Sequence, residues 1–123
     1  MKQLGKYIIE KLHIDKDVDP SKRNPYDANA FIEGDILAAV YQYNSRHVHF
    51  FKIKGFTGKA TVNLIELEKE RVSGDWQNGS CIPIPDKEKG EIIKARINNK
   101  GRLKYNDYSI YIWNGKPEDY YTD

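Results

Sequence analysis

A chain of 123 residues and 14.3 kDa is long enough to bury one sizeable core and too short for two independent domains. Fourteen isoleucines against six leucines, and 9 Tyr, 4 Phe and 2 Trp against six alanines, disfavour disorder and suit half-buried pleated surfaces better than helices. A formal charge of +2 lacks the excess of a dedicated nucleic-acid binder, the single Cys81 excludes an intramolecular disulfide framework, and no apolar run approaches the ~18 residues of a membrane span.

Leu4, Tyr7, Ile8 and Leu12 recur at helical spacing, which predicts a short amphipathic helix over residues 3–12, stable only when docked. Lys6, Glu10 and Lys11 interrupt this segment, so a secretory leader is not expected and the reading is of a cytoplasmic protein. Asp15 to Asn29 is rich in Asp, Asn and Pro and reads as a loop or tether, with a boundary near residues 31–34. The expected organisation is an N-terminal helix and tether over 1–33 and a small β-barrel domain over 34–123, one folding unit overall.

From Asp35 the period changes to two. Ile36, Ala38 and Val40 alternate with Leu37, Ala39 and Tyr41, both sets largely apolar, as in a strand covered on both faces. A turn at Asn44 to Arg46 leads into a second strand over 47–53, and these two form a hairpin. Gly55 to Gly58 marks the next turn. In the third strand, 60–67, Ala60, Val62 and Leu64 share one parity while Ile65 and Leu67 take the other, the mark of a bulge. Residues 72–90, with Gly74, Asn78-Gly79, Pro83 and Pro85, read as a long irregular loop with only a short edge strand around 81–84. Ile93, Ala95 and Ile97 then alternate with Lys94 and Arg96, and Leu103 and Tyr105 with Arg102 and Lys104, about a turn at 98–101. A last strand over 108–113 precedes a turn and an aromatic, acidic tail. The fold class is α+β, mainly β: a small antiparallel barrel or strongly bent sheet, SH3-like, with an N-terminal helix.

Gly34-Asp35-Ile36-Leu37, Tyr41-Gln42-Tyr43-Asn44, Val48 to Ile53, Glu66-Leu67-Glu68, Arg71-Val72, Ile82-Pro83-Ile84 and Tyr111 to Pro117 occur in an order that resembles a group of short proteins carried by phages, plasmids and other mobile elements. The resemblance spans residues 33–122, about three quarters of the chain, and leaves the N-terminal extension outside it. It implies a small β protein and a regulatory or anti-defence setting. It carries over no activity and no catalytic residue.

Candidate chemistry is sparse. His47 and His49 share one strand face and could approach one metal ion, but no spacing supplies a third ligand, so no metal and no cofactor are expected. Cys81 has no base beside it in the sequence, Asp35 after Gly34 reads as a turn exit, and no phosphate loop or nucleophile elbow is present. The protein is therefore expected not to be an enzyme.

Charge is more informative. Residues 91–106 carry a net +4 and residues 107–123 a net −3. Lys94, Arg96, Arg102 and Lys104 are expected on one outer hairpin face with Lys100 at its tip, a candidate for phosphate binding. Trp76, Trp113, Tyr120 and Tyr121 are the candidates for protein contact. The first expectation is a binding protein of phage or mobile-element type that blocks or modulates a host protein or nucleoprotein machine, an anti-CRISPR or other anti-defence inhibitor being one form. The alternative is a small nucleic-acid-binding module using the basic hairpin.

Overall fold

The computed structural model describes residues 24–122, so the helix expected over 3–12 and the first part of the tether lie outside the described residues. The strands are β1 (Ile36–Gln42), β2 (Arg46–Thr57), β3 (Thr61–Gly74), β4 (Asn78–Ile97), β5 (Leu103–Lys104), β6 (Ser109–Ile112) and β7 (Glu118–Tyr121). Every pairing among them is antiparallel. β1 lies between β2 and β6, β2 and β4 flank β3, and β5 pairs with the end of β4. β7 pairs with the start of β4 and meets β2 at Arg46↔Tyr121, which bends the sheet into a partial ring. No helix among the described residues is long and apolar enough to cross a membrane.

The doubly apolar pattern of the first hairpin follows from two cores, one on each face of the sheet. Leu37 and Ala39 on β1, with Phe51 and Ile53 on β2, face the first, which also takes in Val62, Leu64, Ala95, Leu103 and Ile110. Ala38 and Val40, with Val48 and Phe50, face the second, beside Leu67 and Cys81. Burying both faces of β1 and β2 removes the apolar–polar alternation that a one-sided sheet imposes.

Ahead of β1, Ala28 and Phe31 are buried in the first core. A 3-10 turn, Ala28–Ala30, is capped by the Asp27 side chain and held to the turn before β5 by Ala28 N–H donating to Gly101 O at 2.7 Å. Asp35 acts as the expected turn exit. Its carboxylate accepts from Ile32 N–H at 2.9 Å, and Gly34, at φ +94°, donates to Ile53 O.

The structure corrects the expectation for residues 72–90. No irregular loop is found there; β3 continues to Gly74, and β4 runs from Asn78 through to Ile97. Pro83 forms the last ladder pair before an interruption, and Pro85 falls within that interruption. Leu67 pairs with Glu88 and Lys69 with Pro83, so residues 84–87 have no partner on β3 and Pro85 has no ladder bond to forfeit. The parity change at Leu64 and Ile65 does coincide with a register shift, between Leu64 and Glu66. Two further expectations are corrected. β2 passes through Gly55 by a register shift and extends to Thr57, and part of the acidic tail forms β7.

Candidate functional site: a basic hairpin face and a cationic aromatic cleft

On β4 and β5 the expected cation row forms. Arg96 stands directly across from Lys104, and Lys94 lies two residues along the same strand. Lys94, Arg96, Lys100, Arg102 and Lys104 are all exposed, and none makes an ion pair with a carboxylate of the described residues. They are not equally available. Lys94 Nζ donates to Asn63 Oδ1 at 3.1 Å, while Arg102 donates to Tyr26 O at 3.3 Å and lies 5.8 Å from the Tyr26 ring centroid. The tether thus engages one of the five cations through a cation–π contact.

The four aromatic candidates separate. Trp113 packs edge-on against Phe50 at 6.0 Å between centroids, and its indole N–H donates to Lys116 O at 2.7 Å. Tyr120 packs against the second core and its hydroxyl donates to Asp75 O. Tyr121 is half-buried, its hydroxyl accepting from Gln42 at 2.9 Å. Trp76 differs from all three: 70% of it is exposed.

Trp76 sits in the turn between β3 and β4, and that turn is tightly built. The Asp75 carboxylate accepts from Gln77 N–H at 2.9 Å and Asn78 N–H at 3.0 Å, and Asp75 N–H donates to Asn78 O. These backbone donors hold the Asp75 carboxyl below its ordinary value. Thr122 N–H donates to Gln77 O from the far side. An Asx-type turn of this kind fixes the backbone while leaving the indole outside.

Below Trp76 opens a cleft of about 340 Å³, whose lining includes Arg46, Val48, Lys69, Arg71, Cys81 and Tyr120. It is the open mouth of the second core. Phe50, Val48 and Arg46 form one period-two row on β2, and Leu67, Lys69 and Arg71 form another on β3, each passing from apolar to cationic. Arg46 donates to Asp119 O and to Glu118 Oε1, the latter at 3.3 Å. Lys69 Nζ donates to Val48 O at 2.5 Å. The Arg71 side chain makes no hydrogen bond or ion pair with the described residues, and its field reaches Asp75 across the turn.

Sequence reasoning did not single out Arg46, Lys69 and Arg71. The signal available was the period-two continuation of two core rows into cations, but the register that carries both rows to one mouth is set by the β2–β3 pairing at Phe50↔Leu67. Cys81, on the cleft wall, is buried, and burial pushes its thiol above the ordinary value with Lys69 opposing. His47 stacks against Tyr41, whereas His49 bonds Glu66 at 2.9 Å, so the two histidines have separate partners. No group of three or more His, Cys, Asp or Glu among the described residues could hold a metal ion. What converges in the cleft is positive charge and aromatic surface, an arrangement suited to holding an anionic or planar group. No protein family, curated protein or solved structure matches this chain.

Proposed function

We propose that this chain is a non-catalytic binding protein of mobile-element type, built on a small SH3-like barrel, that blocks or modulates a host protein or nucleoprotein machine by occupying its surface. The observation that carries this reading is the rigid display of Trp76. A large aromatic left 70% exposed forgoes burial, and the five hydrogen bonds that fix its turn remove much of the ordering cost that binding would otherwise incur. Tyr120 holds the Trp76 turn through Asp75 O, and Trp113 and Tyr121 remain further candidates for contact.

A second reading, a nucleic-acid module, is favoured by the cross-strand pair Arg96 and Lys104 with Lys94 beside them, all lacking carboxylate partners among the described residues. One set of affinity purifications from the native host separates the two. Trp76→Ala is expected to reduce capture of the specific partner about tenfold or more, as loss of an interface anchor does, with an unchanged melting temperature. Arg96→Glu with Arg102→Glu should leave that capture intact. Equal capture by wild type and Trp76→Ala would overturn the first reading. Loss only in the arginine variants, with steep salt dependence, would establish the second.

A further inference from the structure

The cleft beneath Trp76 gathers cations where the fold does not require them. Leu67, on the row that ends in Lys69 and Arg71, is sealed in the second core, and an apolar or neutral residue at either later position would satisfy a solvated strand end equally well. Glu118 answers the charge of Arg46, but Lys69 Nζ has only a backbone carbonyl, and the Arg71 side chain, whose field reaches Asp75, has no hydrogen-bond or ion-pair partner among the described residues. Two like charges on one strand repel, and a bound anion relieves that repulsion. An arginine fork and a lysine point charge together suit the oxygens of a phosphate.

Trp76 adds a second requirement. Its indole stands at the rim of the same cleft with most of its surface in solvent. A carboxylate on an acidic peptide would use the cations and leave this ring idle. A nucleotide would use both, its phosphate on Lys69 and Arg71 and its base stacked on the indole, and base–aromatic stacking is sequence-tolerant because every base has a π-face. The cleft volume of about 340 Å³ lies at the small end of ligand sites and suits one such unit. Bases inside a duplex have no free face, so the base must be unpaired.

We infer that this cleft receives one unpaired nucleotide, its phosphate held by Lys69 and Arg71 and its base stacked on Trp76. The inference rests on the reading of Trp76 as a contact residue and adds the chemistry of what meets it. It is independent of the basic hairpin face, which lies at the opposite end of β4. The source of the nucleotide is a free nucleoside monophosphate or a single strand within a nucleoprotein.

The test is a tryptophan-fluorescence titration of the full chain with a nucleoside monophosphate, a single-stranded decanucleotide and a glutamate-rich peptide. Quenching by the monophosphate or the decanucleotide is expected, absent in Trp76→Ala, weakened tenfold or more in Arg71→Glu and Lys69→Gln, and unchanged in Lys59→Glu at the other end of β3. Melting temperatures identify any variant that fails to fold, and Arg71→Glu, which breaks no hydrogen bond among the described residues, remains the informative one. Equal affinity for monophosphate and decanucleotide assigns a free nucleotide; much tighter binding of the decanucleotide assigns a strand. No quenching by either, equal binding by Arg71→Glu, or binding of the acidic peptide as tightly as the nucleotides would overturn the inference. Trp76-dependent capture of a partner protein alongside absent nucleotide binding would leave the contact reading standing and remove this one. Loss of both would remove both.

Discussion

Tyr111 and Glu118 meet across the turn that joins β6 to β7, the phenol donating to Glu118 Oε1 at 2.9 Å while Arg46 approaches the same oxygen. Burial first, and the carboxylate second, push the Tyr111 hydroxyl from its ordinary 10.0 up to about 12. The folded state therefore holds this proton more tightly than the unfolded chain. The stability this contributes is fully present below about pH 10 and is lost as the pH rises toward about 12. An ultraviolet phenolate titration should show a late-ionising tyrosine that disappears in Tyr111→Phe, and the alkaline loss of stability should become shallower in that variant. The sequence contains both residues but not their meeting. Nothing in an acidic aromatic tail announces that it returns as a strand to cover the second core.

At the scale of the element, the β3–β4 hairpin depends on glycines at its closing end. A Cβ at Gly79 would stand 2.3 Å from Ser73 O and 2.6 Å from the Tyr120 hydroxyl oxygen, closer than packed atoms allow. Gly79→Ala is therefore expected to cost about 1–3 kcal/mol, the usual penalty of overpacking, as read from the denaturant midpoint. It should also loosen the Trp76 turn, because Tyr120 must move and its hydroxyl is bonded to Asp75 O. Amide hydrogen exchange at Gln77 and Asn78 would report that loosening. The same hairpin marks where local reasoning fails. Two prolines and two glycines within residues 74–85 are ordinary breakers, and only the register shifts that absorb them let one strand of twenty residues persist. By contrast, the shift at Leu64 was visible in the sequence because a parity change within an apolar run records it directly.

For the molecule as a whole, β7 closes what would otherwise be an open sheet. It joins the start of β4 to the start of β2, brings Glu118 to Arg46, and lays Tyr120 against the second core. Removing residues 118–123 should lower stability by at least the ~3 kcal/mol typical of deleting a packed aromatic. The loss should be uneven. Amides of Leu37, Ile53 and Leu64, around the first core, should keep their exchange protection while those of Val48 and Cys81 lose theirs. Uniform loss throughout would show that the two cores unfold as one unit.

The alternation of residues 36–53 and 93–105 by itself determined a mainly β protein with two hairpins, an outward cation row and a strand apolar on both faces. Those are local facts, because side-chain direction along a strand repeats every two residues whatever the rest of the chain does. Tertiary structure alone decided which aromatic is displayed and where the cleft lies. Trp76, Trp113 and Tyr120 are alike as amphipathic aromatics, and only packing on Phe50 and the second core separates the covered rings from the exposed one. Arg46 is distant in sequence from Lys69 and Arg71, and it shares a mouth with them because β2 pairs with β3 at Phe50↔Leu67, a long-range pairing that no period-two pattern encodes.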